Sequence, residues 1–171
     1  MLRLSEDRLP PAEREAWRKL GVFTSSFEAT AGQVIAGADE PMLARFVRCS
    51  LLEREGADRY RLHDLAADYT RARLSEPALD NLHMTHTGYF LRVGVESQRL
   101  YLEGDVVGGL ALFDRERAAN VSAFQACAFL KSQSEGSHPG LATFAPLVLA
   151  DSTVGSTFTQ IHRNRDPPPA R

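Results

Sequence analysis

The sequence predicts a mainly α-helical protein with one small sheet. Apolar residues return every three or four positions in successive segments, from Leu9 to Leu20, from Leu43 to Val47 and from Leu79 to Leu100. Between them, Arg59-Tyr60-Arg61-Leu62 alternates strictly, which is the period of a strand. Glycine and proline punctuate the helical stretches where helices stop and start: Gly21, Gly37 and Gly104 follow apolar runs, and Pro11, Pro41 and Pro77 fall where a first turn is expected.

Proline suits a first helical turn because the N–H it lacks would have no partner there. A first helix therefore runs from Pro11 to Leu20, with Leu9, Ala12, Ala16, Trp17 and Leu20 at helical spacing. Val22-Phe23 reads as a short extended piece. Phe27, Ala31, Val34 and Ile35 give a second helical stripe ending at Gly37. A third helix, Asp39 to Arg48, opens with a candidate cap at Asp39 and carries Leu43, Phe46 and Val47 on one face. Leu51 to Glu55 and Arg59 to Leu62, joined by Gly56-Ala57-Asp58, read as a hairpin. Three helices followed by a two-stranded wing is the winged-helix order. A fourth helix, Asp64 to about Leu74, is expected to present Leu65, Tyr69 and Ala72 to the same core.

A boundary falls at Ser75-Glu76-Pro77, since a residue before proline is pushed out of helical geometry. Leu79, Leu82, His86, Phe90, Val93 and Leu100 then fit a long helix to about Glu103. Val106, Leu110, Phe113, Asn120, Phe124 and Ala128 fit a second, antiparallel one. Asn120 falls on that apolar stripe and reads as a buried amide in need of partners. After Gln133 the chain is rich in Ser, Gly, Thr and Pro, apart from the apolar run Phe144 to Ala150. The expected organisation is a winged-helix domain over 1–74, a helical hairpin of a repeat region over 75–133, and a low-order tail over 134–171.

At 171 residues, 43% hydrophobic and 25% charged, the composition is that of an ordinary globular chain. No apolar run approaches the ~20 residues that span a bilayer, and the first ten residues lack a signal-peptide core, so a cytoplasmic protein without a membrane partner is expected. Net charge is −2, and residues 1–74 carry twelve Lys and Arg against twelve Asp and Glu. That balance argues against DNA as a partner, because a duplex-binding face is normally basic. Arg45 and Arg48 could form a small basic stripe, or could be solvated charges on a helix face. Cys49 and Cys127 sit in apolar contexts without metal-ligand spacing and read as reduced core thiols. Asn120-Val121-Ser122 matches a glycosylation sequon, which carries no weight without a secretory signal.

The residues richest in chemistry lie where the alternating run becomes helical, at Leu62-His63-Asp64. Asp64 can act as N-cap by accepting the N–H of Ala66 or Ala67. His63 then stands at the mouth of a helix N-terminus, a place that favours anions. One reading is a phosphate-sensing histidine; the other is a hydrogen-bonded histidine in an ordinary strand-to-helix corner. The segment Arg59 to Leu65 resembles the motif closing the winged-helix domain of NB-ARC-type signalling ATPases of the STAND class, where a Met-His-Asp or Leu-His-Asp triplet precedes an apolar helix. The resemblance extends through Trp17-Arg18-Lys19-Leu20-Gly21-Val22-Phe23, Ser26-Phe27 and Ser50-Leu51-Leu52, and covers residues 1 to about 130. In bacterial members a tetratricopeptide-like hairpin follows, with a Glu-x-x-Asn-type segment; here Glu116 and Asn120 stand one residue further apart.

The resemblance implies that His63 contacts the diphosphate of bound ADP in a full-length parent, that the partners are that parent's nucleotide-binding domain and repeat sensor, and that this chain is a fragment holding no cofactor by itself. No G-x-x-x-x-G-K-[ST] loop is present: Gly32 to Gly37 has the glycine spacing, but Ala38-Asp39 follows where lysine and a hydroxyl are required. His83 and His86 lie three apart on a helix without a further ligand at metal spacing. The expected function is a non-catalytic regulatory segment of a nucleotide-switched signalling protein. Its rivals are a winged-helix DNA binder and a small helical interaction scaffold.

Overall fold

The computed structural model describes residues 5–121 and residue 123. They are mainly helical, with one three-stranded antiparallel sheet. Compact packing divides the chain into two units, Met1–Tyr89 and Phe90–Arg171.

In the first unit, α1 spans Pro11–Lys19 and passes into a 3-10 turn, Leu20–Val22. Strand β1 is Phe27–Glu28, and α2 is Ala29–Ala31, continued by a wider π-helical turn at Gly32–Ala36. Helix α3 is Glu40–Arg48, β2 is Glu53–Glu55, β3 is Arg59–Arg61, and α4 is Asp64–Arg71. The α3 start is as expected: Asp39 Oδ1 accepts the Met42 N–H at 2.9 Å, and proline occupies the first turn. The hairpin is also where alternation put it, with Arg54 opposite Tyr60 and Gly56 in left-handed conformation (φ 73°) turning the chain.

Phe27 departs from expectation. It lies in a strand opposite Tyr60 rather than on a helix, so the sheet has order β1-β3-β2. The reason is tertiary: the Phe27 ring stacks on Phe23 with centroids 4.0 Å apart and sits 6.2 Å from Tyr60. These aromatic contacts outweigh a local helical spacing. The π-helical turn also rotates the following side chains, and Val34, expected in the core, is exposed.

The core of this unit gathers Trp17, Leu20, Phe27, Leu43 and Phe46, all fully buried. Trp17 Nε1 donates to the Leu51 carbonyl at 3.3 Å, which satisfies its one polar atom in the interior. Helix α4 packs on α1 and on the Leu20–Val22 turn. The approach is so close that a Cβ on Gly21 would lie 2.2 Å from Thr70 Oγ1. Thr70 in turn donates to the Ala67 carbonyl at 2.9 Å, and Arg71 Nη1 donates to the Gly21 carbonyl at 3.0 Å.

The contact with α4 is completed by Glu6, an almost fully buried carboxylate that the sequence pattern did not flag. Arg18 reaches it at 2.6 Å, Arg73 at 3.2 Å, and the Tyr69 hydroxyl donates to it at 2.9 Å. The Arg73 guanidinium lies 3.5 Å from the Tyr69 ring centroid, adding a cation–π contact. Burial acts to raise the Glu6 pKa, but the Tyr69 hydroxyl and the two guanidinium groups together hold it below the usual carboxylate value.

Helix α5, Glu76–Leu102, is the long helix expected from the spacing after Ser75, and it ends before Gly104 (φ 99°). Leu82, His86 and Phe90 are buried along it at helical spacing. Helix α6, Val106–Arg115, is capped by Asp105, whose Oδ1 accepts the Gly108 N–H at 2.9 Å. Within the second unit the α5 and α6 backbones touch. Ser97 Oγ donates to the Gly109 carbonyl at 2.7 Å, and a Cβ on Gly109 would fall 2.6 Å from the Ser97 carbonyl.

The single second helix expected through Ala128 is interrupted at Glu116 (φ −108°, ψ 18°), after which the Asn120 N–H bonds the Glu116 carbonyl and a new helical turn begins. A seven-residue gap between Phe113 and Asn120 is compatible with either course, so spacing alone could not reveal the break. Asn120 is fully buried, and its amide Oδ1 and Nδ2 meet no hydrogen-bond partner among the described residues. Phe124, Ala128, Cys127 and the tail expected over 134–171 lie outside the described residues. No helix among those described is long and apolar enough to cross a membrane.

Candidate functional site

The chain leaves β3 at Arg61 and enters α4 at Asp64, so Leu62 and His63 form the corner. Leu62 turns into the core, and His63 remains exposed. The cap is His63 itself, one residue earlier than expected. Its backbone is extended (φ −62°, ψ 142°), and its Nδ1 accepts the Leu65 N–H at 3.4 Å. The His63 carbonyl takes the Ala66 N–H at 2.8 Å and the Ala67 N–H at 3.0 Å, the donors that the Asp64 carboxylate was expected to satisfy. Asp64 is instead the first helical residue, its charge beside the positive end of the helix.

This capping changes what the corner can do. The Leu65, Ala66 and Ala67 N–H groups already have acceptors, so the helix end is a poorer anion cradle than the spacing alone implied. The chemistry concentrates on the imidazole. With Nδ1 accepting, a neutral ring carries its proton on Nε2 and can donate it to an external acceptor. Two residues back, Arg61 is exposed on β3, whereas Arg59 is engaged with Ser26 Oγ at 3.0 Å and lies 3.9 Å from Glu28.

Leu65 follows immediately and is 69% exposed, which corrects its expected place in the core. Ala66, Ala67 and Thr70 form the buried face of α4, and Ala72 is also exposed. The misreading has a simple cause. Small residues packed against Gly21 carry the contact, and a larger leucine beside them dominates any apolar pattern.

Other candidates resolve separately. Gly32 to Gly37 is a π-helical turn with Gly32 buried, not a phosphate-binding loop. Arg45 pairs with Glu13 at 3.0 Å, and Arg48 stands exposed at the end of α3. Cys49 is an exposed thiol rather than a core one, because α3 ends at Arg48 and the chain turns outward before Leu51 returns to the core. His83 is exposed while His86 is buried, and no group of three His, Cys, Asp or Glu side chains among the described residues is placed to hold a metal ion. Comparison of the chain with protein-family models, curated proteins and solved structures finds no match.

Proposed function

We propose that the first unit is a winged-helix regulatory module of a STAND-type, nucleotide-switched signalling protein, in which His63 donates a hydrogen bond to the diphosphate of ADP held by the parent's nucleotide domain. The observation that carries this reading is the state of the Leu62-His63-Asp64 corner: an exposed imidazole with Nδ1 engaged by its own helix and Nε2 available to an anion. The order of helices and hairpin supports it, with β1 adding a third strand. The role is non-catalytic, since a single histidine cannot replace a phosphate cradle and a Mg²⁺ site.

A charge-assisted hydrogen bond of this kind is worth roughly 1.5–3 kcal/mol. Formed only in the ADP-bound closed state, it biases the switch by up to about a hundredfold. In a longer chain joining this segment to a phosphate-binding loop, His63→Ala should speed ADP release by up to that factor. Unchanged release would remove the reading, as would an upstream reading frame encoding no such loop.

The DNA-binding alternative gains nothing from the geometry. Arg45 is paired with Glu13, Arg54 donates to the Ala57 carbonyl of its own turn, and Glu53 and Glu55 share the hairpin with the arginines. The interaction-scaffold alternative has one specific observation in its favour: Leu102, Val106 and Val107 stand exposed around the α5–α6 turn.

A further inference from the structure

Ahead of α1 the chain makes a short strap, Ser5 to Arg8, whose buried side chain is a charged one. Asp7 and Arg8 are exposed and Ser5 is partly so, whereas Glu6 is buried. Leu9, also buried, fixes the far end of the strap, and its N–H donates to the Glu6 carbonyl at 2.9 Å. Arg14 Nη2 adds two longer ties, donating to the Asp7 carbonyl at 3.3 Å and to the Leu9 carbonyl at 3.1 Å. Residues 5–8 contain no apolar side chain, so hydrophobic burial does not hold them and they can open locally without the core.

The seat that receives Glu6 is built by other elements. Arg18 lies in α1, Tyr69 in α4, and Arg73 just beyond α4. Arg18 Nε and Nη2 both stand 2.6 Å from Glu6 Oε1. The Tyr69 hydroxyl donates to Oε2 at 2.9 Å, and Arg73 Nε stands 3.2 Å from the same oxygen. Four donors are thus divided evenly between two oxygens, a pattern that a planar carboxylate satisfies.

Neighbouring charges are engaged elsewhere, Lys19 with Glu15 at 2.7 Å and Arg71 with Asp68 and the Gly21 carbonyl. Among the described residues neither Arg18 nor Arg73 has a carboxylate partner besides Glu6. Both guanidinium groups are about a third exposed while Glu6 beneath them is nearly covered, so the seat faces water. With the strap away, two positive charges and a phenol converge with no anion between them, an arrangement that favours capture of another carboxylate.

We propose that Arg18, Tyr69 and Arg73 form a docking seat for an acidic side chain of a partner protein, and that Glu6 occupies it as an autoinhibitory stand-in. The exchange replaces one carboxylate by another, so the seat keeps its hydrogen bonds and the strap alone moves. A tethered Glu6 competes at the roughly millimolar effective concentration typical of short linkers. A lone free carboxylate is a poor rival to it, whereas an acidic peptide brings several carboxylates to the same seat. No residue of the seat belongs to the His63 corner.

The test uses the full 171-residue chain at neutral pH, titrated with hexaglutamate, with sodium chloride of equal ionic strength as control. Amide exchange at Leu9, whose N–H bond to Glu6 breaks when the strap leaves, reports release. Exchange at Ala16 to Leu20 reports the core. Hexaglutamate is expected to release Leu9 and leave the core protected, and to bind Glu6→Ala at least about tenfold more tightly than wild type because the tethered competitor is gone. Should Glu6→Ala not fold, Glu6→Gln serves in its place. Arg73→Gln is expected to lose hexaglutamate binding. Acetate at equal carboxylate concentration is expected to release Leu9 less; equal release would make the seat one for small carboxylates and overturn the assignment to a protein partner. Release by sodium chloride alone, loss of core protection together with Leu9, equal affinity of Glu6→Ala and wild type, or binding that survives Arg73→Gln would each overturn the proposal.

Discussion

Helix α4 presents two regions of opposite character within eight residues. Its packed face, Ala66, Ala67 and Thr70, lies so close to the Leu20–Val22 turn that Gly21 has no room for a methyl group, and Tyr69 and Arg71 tie the same helix to Glu6 and the Gly21 carbonyl. Its entry corner, His63, Asp64 and Leu65, is exposed and is held by one long side-chain hydrogen bond and its own carbonyl. Side chains on the packed face are committed to the fold. At the corner only His63 Nδ1 is engaged, by the Leu65 N–H, which leaves the rest of the exposed surface there open to selection for contact with something outside the unit.

Substitutions should follow that division. Trp17→Ala, in the core on which α4 rests, is expected to cost about 3–5 kcal/mol in denaturant unfolding, combining lost burial with the abandoned Leu51 carbonyl. Gly21→Ala should cost about 1–3 kcal/mol, since the new methyl meets a β-branched side chain whose rotation would break its bond to Ala67. A cost within experimental error would show that α4 is less firmly seated than its contacts imply.

Glu6 gives the comparison a pH axis. Its folded-state pKa is depressed, so its stabilisation is present above about 4.5 and is lost as pH falls through the lower folded value. Glu6→Gln should cost about 2 kcal/mol at pH 7, less than a fully enclosed pair because both arginines stay about a third exposed to water. The variant should also be less sensitive to pH below that value, and an unchanged acid limb would remove Glu6 from the account. At the corner, Leu65→Ser should change stability by no more than about 0.5 kcal/mol.

Much of this architecture is legible in the sequence where a local rule acts alone. Asp39 and Pro41 mark the start of α3, Gly56 turns the hairpin, and Gly104 closes α5, because capping and left-handed turns depend on a few adjacent residues. Misreadings occur where distant groups decide. Phe27 is drawn into a strand by Phe23 and Tyr60, the Glu6 cluster joins residues up to 67 positions apart, and the α6 break at Glu116 leaves the apolar spacing undisturbed. The candidate site was legible in part. His63 stands exposed at the expected corner, but its role as cap was assigned to Asp64, since a carboxylate is the commoner capping group and the ring nitrogen's reach depends on a rotamer that no sequence shows.

The central claim, that His63 serves an anion rather than the fold, is tested most directly by amide NMR of the wild-type chain and His63→Ala titrated with pyrophosphate. One bond of about 1.5–3 kcal/mol predicts weak binding, with a Kd of about 10–100 mM. Shifts should centre on His63 to Leu65 and disappear in His63→Ala, and that variant should lose no more than the about 1 kcal/mol of a helix cap, since His63 Nδ1 accepts the Leu65 N–H only at 3.4 Å. A variant destabilised as severely as Gly21→Ala, with pyrophosphate shifts that survive the substitution, would make His63 a structural corner residue and contradict the account.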